Sequence, residues 1–119
     1  MGRSARVAPQ TGDPFHYTTV KVGGTERTYA VYVPPDYTPH EKWPLVVFLH
    51  GSARRGSDGY SQTDQGLGPA IRSNPEMFPC IVIMPQCPEG KYWPDVADHI
   101  DTAIAQTLRD YRIDGNRIY

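Results

Sequence analysis

Cysteine is scarce in this sequence. Of 119 residues only Cys80 and Cys87 are cysteines, too few for the disulfide framework of a small secreted domain. If residues 80–84 are extended, the chain between the two carries their Cα atoms past the ~7 Å limit for a bridge. Charge of one sign is also lacking. Twelve Lys and Arg against 13 Asp and Glu leave a formal net charge of −1, without the clustered positive surface that sequence-independent nucleic-acid binding needs. Long apolar runs are absent too. The run at 45–49 has five residues, whereas a membrane-spanning helix needs ~20. The basic start at Arg3 and Arg6 has no apolar stretch behind it, so it does not read as a secretory signal; cellular location is left open. The histidines, His16, His40, His50 and His99, are too scattered for metal-ligand spacing.

What is present is an ordered series of short elements. Residues 1–13 are polar and carry Pro and Gly, which predicts a frayed arm ahead of a domain over 14–119. Segments 15–22 and 28–33 are rich in β-branched and aromatic residues and flank Gly23-Gly24, the pattern of a β-hairpin. Pro34-Pro35 closes the second strand. After a polar connection, 45–49 (Leu-Val-Val-Phe-Leu) and 81–84 (Ile-Val-Ile-Met) are continuously apolar, as in strands of a parallel sheet covered on both faces. Between them 69–73 is the best crossover helix, with Gly68 as N-cap and Pro69 in first position. The clearest helix is 96–111, where Val96, Ala97, Ile100, Ala103, Ile104, Leu108 and Tyr111 form one apolar stripe. Asp95 is its expected cap and Gly115 its expected stop. Arg117-Ile118-Tyr119 begins a further strand. The order predicts an α/β sheet.

The loop after the first buried strand carries the chemistry. His50-Gly51-Ser52-Ala53-Arg54-Arg55-Gly56-Ser57-Asp58-Gly59 leaves the carboxyl edge, where open α/β sheets bind ligands. A phosphate-binding loop is disfavoured although Gly51 and Gly56 have its spacing. Ser57 stands where its lysine belongs, and Asp58 would repel a phosphate. An oxyanion-hole loop fits better, because acyl transfer needs prepositioned N–H donors for the charge on the carbonyl oxygen.

Tyr29-Ala30-Val31-Tyr32-Val33-Pro34-Pro35-Asp36-Tyr37, the run Trp43 to Gly51, Pro85-Gln86-Cys87-Pro88 with Trp93, and Arg112 to Tyr119 together resemble the N-terminal half of carboxylesterase-like α/β-hydrolases. The nearest branch is that of predicted peptidases, phospholipase/carboxylesterases and feruloyl-esterase-like proteins. The resemblance implies a partial α/β-hydrolase sheet: an N-terminal hairpin, then parallel strands with crossover helices, cut before the nucleophile elbow. It implies a serine hydrolase acting on carboxylic esters or peptides through an acyl-enzyme, without cofactor or metal. By it, Ser52 would give a backbone N–H to the oxyanion hole, His50, Gly51 and Ala53 would shape that loop, and Gln86 and Trp93 would lie beside the acyl pocket. Relatives often have His-Gly-x-Gly-Glu-Arg-Gly. Ala53 and Arg54 depart from that pattern, and a Cβ at 53 penalises positive φ, which predicts a differently shaped loop.

No serine here lies in a Gly-x-Ser-x-Gly elbow, and in this fold the acid and base follow the nucleophile. Ser52, Asp95 and His99 supply the residue types of a triad, but nothing orients His99, expected on the helix surface, towards Ser52. The leading expectation is therefore part of an ester hydrolase whose nucleophile lies outside these residues, with a small-molecule ester as its partner and neither nucleic acid nor membrane. The rival is a non-catalytic binding or assembly module. A half sheet would leave an unpaired apolar edge after 117–119, inviting self-association, so that the chain alone is not a stable monomer.

Overall fold

The structure, a computed structural model, describes residues 13–119. The arm expected over 1–13 thus lies outside the described residues except for Asp13. Strands β1 (Phe15–Val22) and β2 (Thr25–Tyr32) pair antiparallel around Gly23 and Gly24. Both glycines have positive φ, 57° and 82°, as a two-residue hairpin turn requires. The strand expected at 28–33 begins earlier, because this tight turn draws Thr25, Glu26 and Arg27 into register with Val22, Lys21 and Val20.

Strand β3 (Trp43–Val47), strand β4 (Ile81–Pro85) and strand β5 (Ile113–Ile118) complete a five-stranded sheet of order β1-β2-β4-β3-β5. β2 meets β4 antiparallel, whereas β3 runs parallel to both β4 and β5. β3 starts before the expected Leu45 because Trp43 pairs with Ile113. A register irregularity between Trp43 and Leu45 accommodates Pro44, which has no N–H for a ladder.

Alternation within the strands sends two side-chain sets to opposite faces. Tyr29, Val31, Leu45, Ile81 and Ile83 pack with Ala103 of helix α2 (Ala97–Asp110). Ala30, Tyr32, Val82 and Met84 pack with Ile71 of helix α1 (Leu67–Ser73). The chain is therefore a mixed sheet with a helix on each face, the α/β architecture expected from the apolar runs. Among the described residues no helix is long and apolar enough to cross a membrane.

Helix starts differ from expectation. The N-cap of α1 is Gly66, at φ 65°, not Gly68, which lies buried inside the helix. The Asp95 carboxylate accepts the Tyr92 N–H at 2.9 Å within a 3-10 turn, Trp93–Val96, and Val96 is the N-cap of α2. The helix stops at Asp110, five residues before Gly115, which lies inside β5. Pairing of β5 with β3 outweighs the turn propensity of Asp114-Gly115-Asn116.

One polar network ties α1 to β1. Arg72 Nη2 donates to Asp13 (3.3 Å), to the Tyr17 hydroxyl (3.2 Å) and to Thr63 Oγ1 (2.8 Å), and Nη1 donates to the Thr63 carbonyl (2.7 Å). Its guanidinium lies 4.9 Å from the centroid of the Phe15 ring. Burial pushes the Tyr17 phenol up to about 12, so it stays a neutral donor to Asp13. Removing the cation leaves a nearly buried carboxylate without its charge partner. Arg72→Met is therefore expected to destabilise by about 2–3 kcal/mol, below the range for fully buried pairs because Arg72 is partly exposed. Urea midpoints check this; an unchanged midpoint would mean the network adds nothing.

Candidate functional site

β3 delivers the chain at its carboxyl end into the loop that carries His50. The His50 ring is buried and both nitrogens are engaged. The Cys87 backbone N–H donates to Nε2 at 2.9 Å, so Nε2 is an acceptor and the proton lies on Nδ1, which donates to the Gly51 carbonyl. Burial lowers the pKa of this imidazole, the Gly51 carbonyl opposes that, and the Arg55 charge lowers it further. His50 is thus a neutral brace without a free lone pair for general-base work. Trp93 secures it from the far side: its indole Nε1–H donates to the His50 carbonyl at 3.1 Å, and the two rings meet edge to face at 4.9 Å.

Gly51 has φ −76° and ψ 172°, extended backbone open to any residue. A Cβ there would meet nothing within 4 Å, so the surrounding space is open. Ser52, Ala53 and Arg54 form a right-handed 3-10 turn, a conformation in which Ala53 bears its Cβ without strain. Among the described residues the Ser52 amide meets no acceptor, whereas the Ser52 carbonyl accepts the Arg55 N–H at 3.3 Å. Two glycine amides further along are engaged: Gly56 N–H on the Cys87 carbonyl (3.0 Å) and Gly59 N–H on Gln86 Oε1 (2.9 Å). They are not free to cradle a phosphate, and Asp58 lies among them. Burial pushes the Asp58 carboxyl up, but hydrogen bonds from Ser61, Tyr60 and Gln86 outweigh it and hold the group below the usual range.

His50, Gly51, Ser52 and Trp93 come together around a crevice of about 70 Å³, joined by Arg55, Cys87 and Tyr92. Gln86 and Ala53 do not line it. Gln86, expected beside an acyl pocket, is buried behind the loop, and both ends of its amide are engaged there. Beyond the Gly59 bond, its Nε2 donates to the Arg54 carbonyl (3.0 Å), to Asp58 Oδ1 (3.1 Å) and to Ser61 Oγ (3.3 Å). It pins the loop to the end of β4. Cys87 is a buried thiol that burial pushes up, although Arg55 partly offsets this. His99, expected on the helix surface, is 1% exposed on the sheet-facing side of α2, and neither ring nitrogen has a hydrogen-bond partner among the described residues. Burial, and then the Arg27 charge, lower its pKa to about 4. With Asp95 engaged at Tyr92, no relay from Ser52 through His99 to Asp95 forms among the described residues.

Comparison of the fold with solved structures identifies the architecture. A thermostable esterase superposes with TM-score 0.70 at 34% identity, over 90% of this chain and 33% of that one. The fold is a partial carboxylesterase-like α/β-hydrolase fold. A ferulic acid esterase of the anaerobic fungus Anaeromyces mucronatus matches with TM-score 0.57 at 16% identity, over 93% of this chain and 50% of that one. A thermophilic carboxylesterase from a metagenomic library matches with TM-score 0.58 at 14% identity, over 87% and 34% of the two chains. The chain therefore spans a third to a half of the length of these α/β-hydrolases. No protein-family model and no curated protein matches it. Arg55 and Tyr92 were not singled out from the sequence. The signal for Arg55 was its match to the arginine of the His-Gly-x-Gly-Glu-Arg-Gly pattern; Tyr92 offered none beyond its neighbour Trp93.

Proposed function

We propose that this chain supplies the oxyanion-hole turn of a serine hydrolase that cleaves carboxylic esters, with nucleophile, acid and base outside residues 1–119. One observation carries this reading. Ser52 lines a crevice at the carboxyl end of β3 and its amide meets no acceptor among the described residues, while the Gly56 and Gly59 amides of the same loop are tied down. In an acyl transfer a serine hydroxyl adds to the ester carbonyl carbon, and the carbonyl π pair moves onto oxygen. The Ser52 N–H would donate to that oxyanion. Collapse expels the alcohol and leaves an acyl-enzyme, which water then hydrolyses. An amide already held by the His50, Gln86 and Trp93 contacts needs no reorganisation as charge develops. Loss of one such donor costs about 3–4 kcal/mol of transition-state binding.

A backbone donor can be deleted here with little disturbance. Ser52 opens a 3-10 turn, the first position that proline favours, and Gly51 before it is extended, as a residue preceding proline must be. In the chain joined to the sequence encoded after Tyr119, Ser52→Pro is expected to lower kcat for an aryl butyrate by about 100–1,000-fold. Ser52→Ala, which keeps the N–H, should stay within a few-fold of the parent. Equal rates for the two variants would refute the assignment.

A further inference from the structure

The crevice beside Ser52 has a charge that ester hydrolysis alone does not require. Its walls hold one cation, Arg55, and no carboxylate. The guanidinium lies 4.6 Å from the centroid of the Tyr92 ring, itself 66% exposed. Among the described residues no carboxylate lies within ion-pair distance of Arg55; Asp95, the nearby acid that acts on Cys87, accepts the Tyr92 N–H instead. Arginine presents five N–H donors in a planar fork suited to a carboxylate, and here that fork is steadied on an aromatic face without an anionic partner. Its field reaches the site, since the same charge acts on both the His50 ring and the Cys87 thiol. The crevice, at about 70 Å³, is too small for a whole drug-sized ligand, whose sites run to roughly 300–1,000 Å³. It suits one small polar group next to the reacting carbonyl.

We infer that Arg55, set on the Tyr92 ring beside the Ser52 amide, is a specificity-determining residue that selects esters bearing a free carboxylate near the scissile bond. This rests on the ester-hydrolase reading above. The carboxylate forms a charge-assisted pair with the guanidinium and fixes the ester within reach of the Ser52 N–H. A charge-assisted hydrogen bond of this kind corresponds to roughly 10–100-fold in selectivity.

The test uses the chain joined to the sequence encoded after Tyr119 and two matched substrate pairs. 4-Nitrophenyl hemisuccinate and its methyl ester differ only by a charge on the acyl side. 4-(Butyryloxy)benzoate and its methyl ester differ by one on the alcohol side. In at least one pair, kcat/KM for the anionic member is expected to exceed that of the neutral one by about 10-fold or more, and the excess should shrink as salt is raised. Arg55→Gln should bring that ratio down to about 1, and Arg55→Lys should keep part of it. Turnover of all four esters with ratios near 1, or a ratio that survives Arg55→Gln, would overturn the inference and leave the hydrolase reading standing. Hydrolysis of none of them would overturn both.

Discussion

Gly68→Ala is expected to cost about 3 kcal/mol or more, enough to unfold a marginal domain. A Cβ at this position would stand 1.9 Å from the Thr63 carbonyl oxygen and 2.6 Å from its carbonyl carbon. Backbone atoms do not step aside as a side-chain tip does. Thr63 is also held on several sides: it is fully buried, its hydroxyl donates to the Tyr60 carbonyl, and its carbonyl accepts from Arg72. The missing side chain at 68 lets α1 close onto the 3-10 turn Ser61–Asp64, which in turn feeds the loop pinned by Gln86. Gly51→Ala is the internal control. Its extended backbone and open surroundings predict a change within about 0.5 kcal/mol. Urea unfolding of both variants measures the contrast; similar midpoints for Gly68→Ala and the parent would mean that α1 does not pack on the 61–64 turn.

The second large effect is one of pH. His99 is buried and unpartnered, and burial together with the Arg27 charge lowers its folded pKa to about 4, against about 6.5 in an unfolded chain. The neutral ring is the native form, so protonation favours unfolding. Its contribution is fully present above pH 6.5 and is lost progressively as the pH falls from there through about 4. At about 1.4 kcal/mol per unit the accumulated loss is on the order of 3 kcal/mol. Asp58, held below the usual carboxyl range, also contributes stability that is lost on acidification, but at lower pH, as the medium falls through its depressed pKa. Comparing the parent with His99→Leu separates the two. Urea midpoints of the parent should fall steeply between pH 6.5 and 4.5, and those of His99→Leu should be much flatter over the same window. Parallel curves would place His99 in contact with water or a counter-charge.

The core strands were legible in the sequence because the residues at 45–49 and 81–84 are apolar without interruption; β4 is buried throughout, whereas β3 ends at Val47 and Leu49 beyond it is 40% exposed, because the chain there leaves the sheet for the loop. The hairpin was legible from Gly23-Gly24. Other features depended on distant partners. Residues Thr25 to Arg27 look too polar for a strand until the turn fixes them opposite β1. Asp114-Gly115-Asn116 reads as a turn until β3 offers it a ladder. On α2, apolarity picked out Leu108, which is 42% exposed, whereas the sheet-facing line runs through His99, Ala103 and Thr107. Helical spacing identifies a stripe, but not which polar residue tolerates burial within it.

The candidate site divides in the same way. The turn around Ser52 followed from its place after a buried strand and from a family resemblance. The roles of its supports did not, because each is a contact across the chain: Trp93 on the His50 carbonyl, and Gln86 on Arg54 and Gly59. The family resemblance puts Gln86 beside the substrate, whereas in the folded chain it is buried and its amide holds the loop. Arg55 gains its significance from its seat on the Tyr92 ring with no carboxylate in ion-pair reach among the described residues.

The most direct measurement is hydrolysis of 4-nitrophenyl butyrate by the chain joined to the sequence encoded after Tyr119, before and after treatment with a serine-directed phosphonate. The account predicts turnover that the phosphonate abolishes with one equivalent bound per chain. Turnover that survives complete phosphonate labelling, or no turnover by a folded protein, would contradict it.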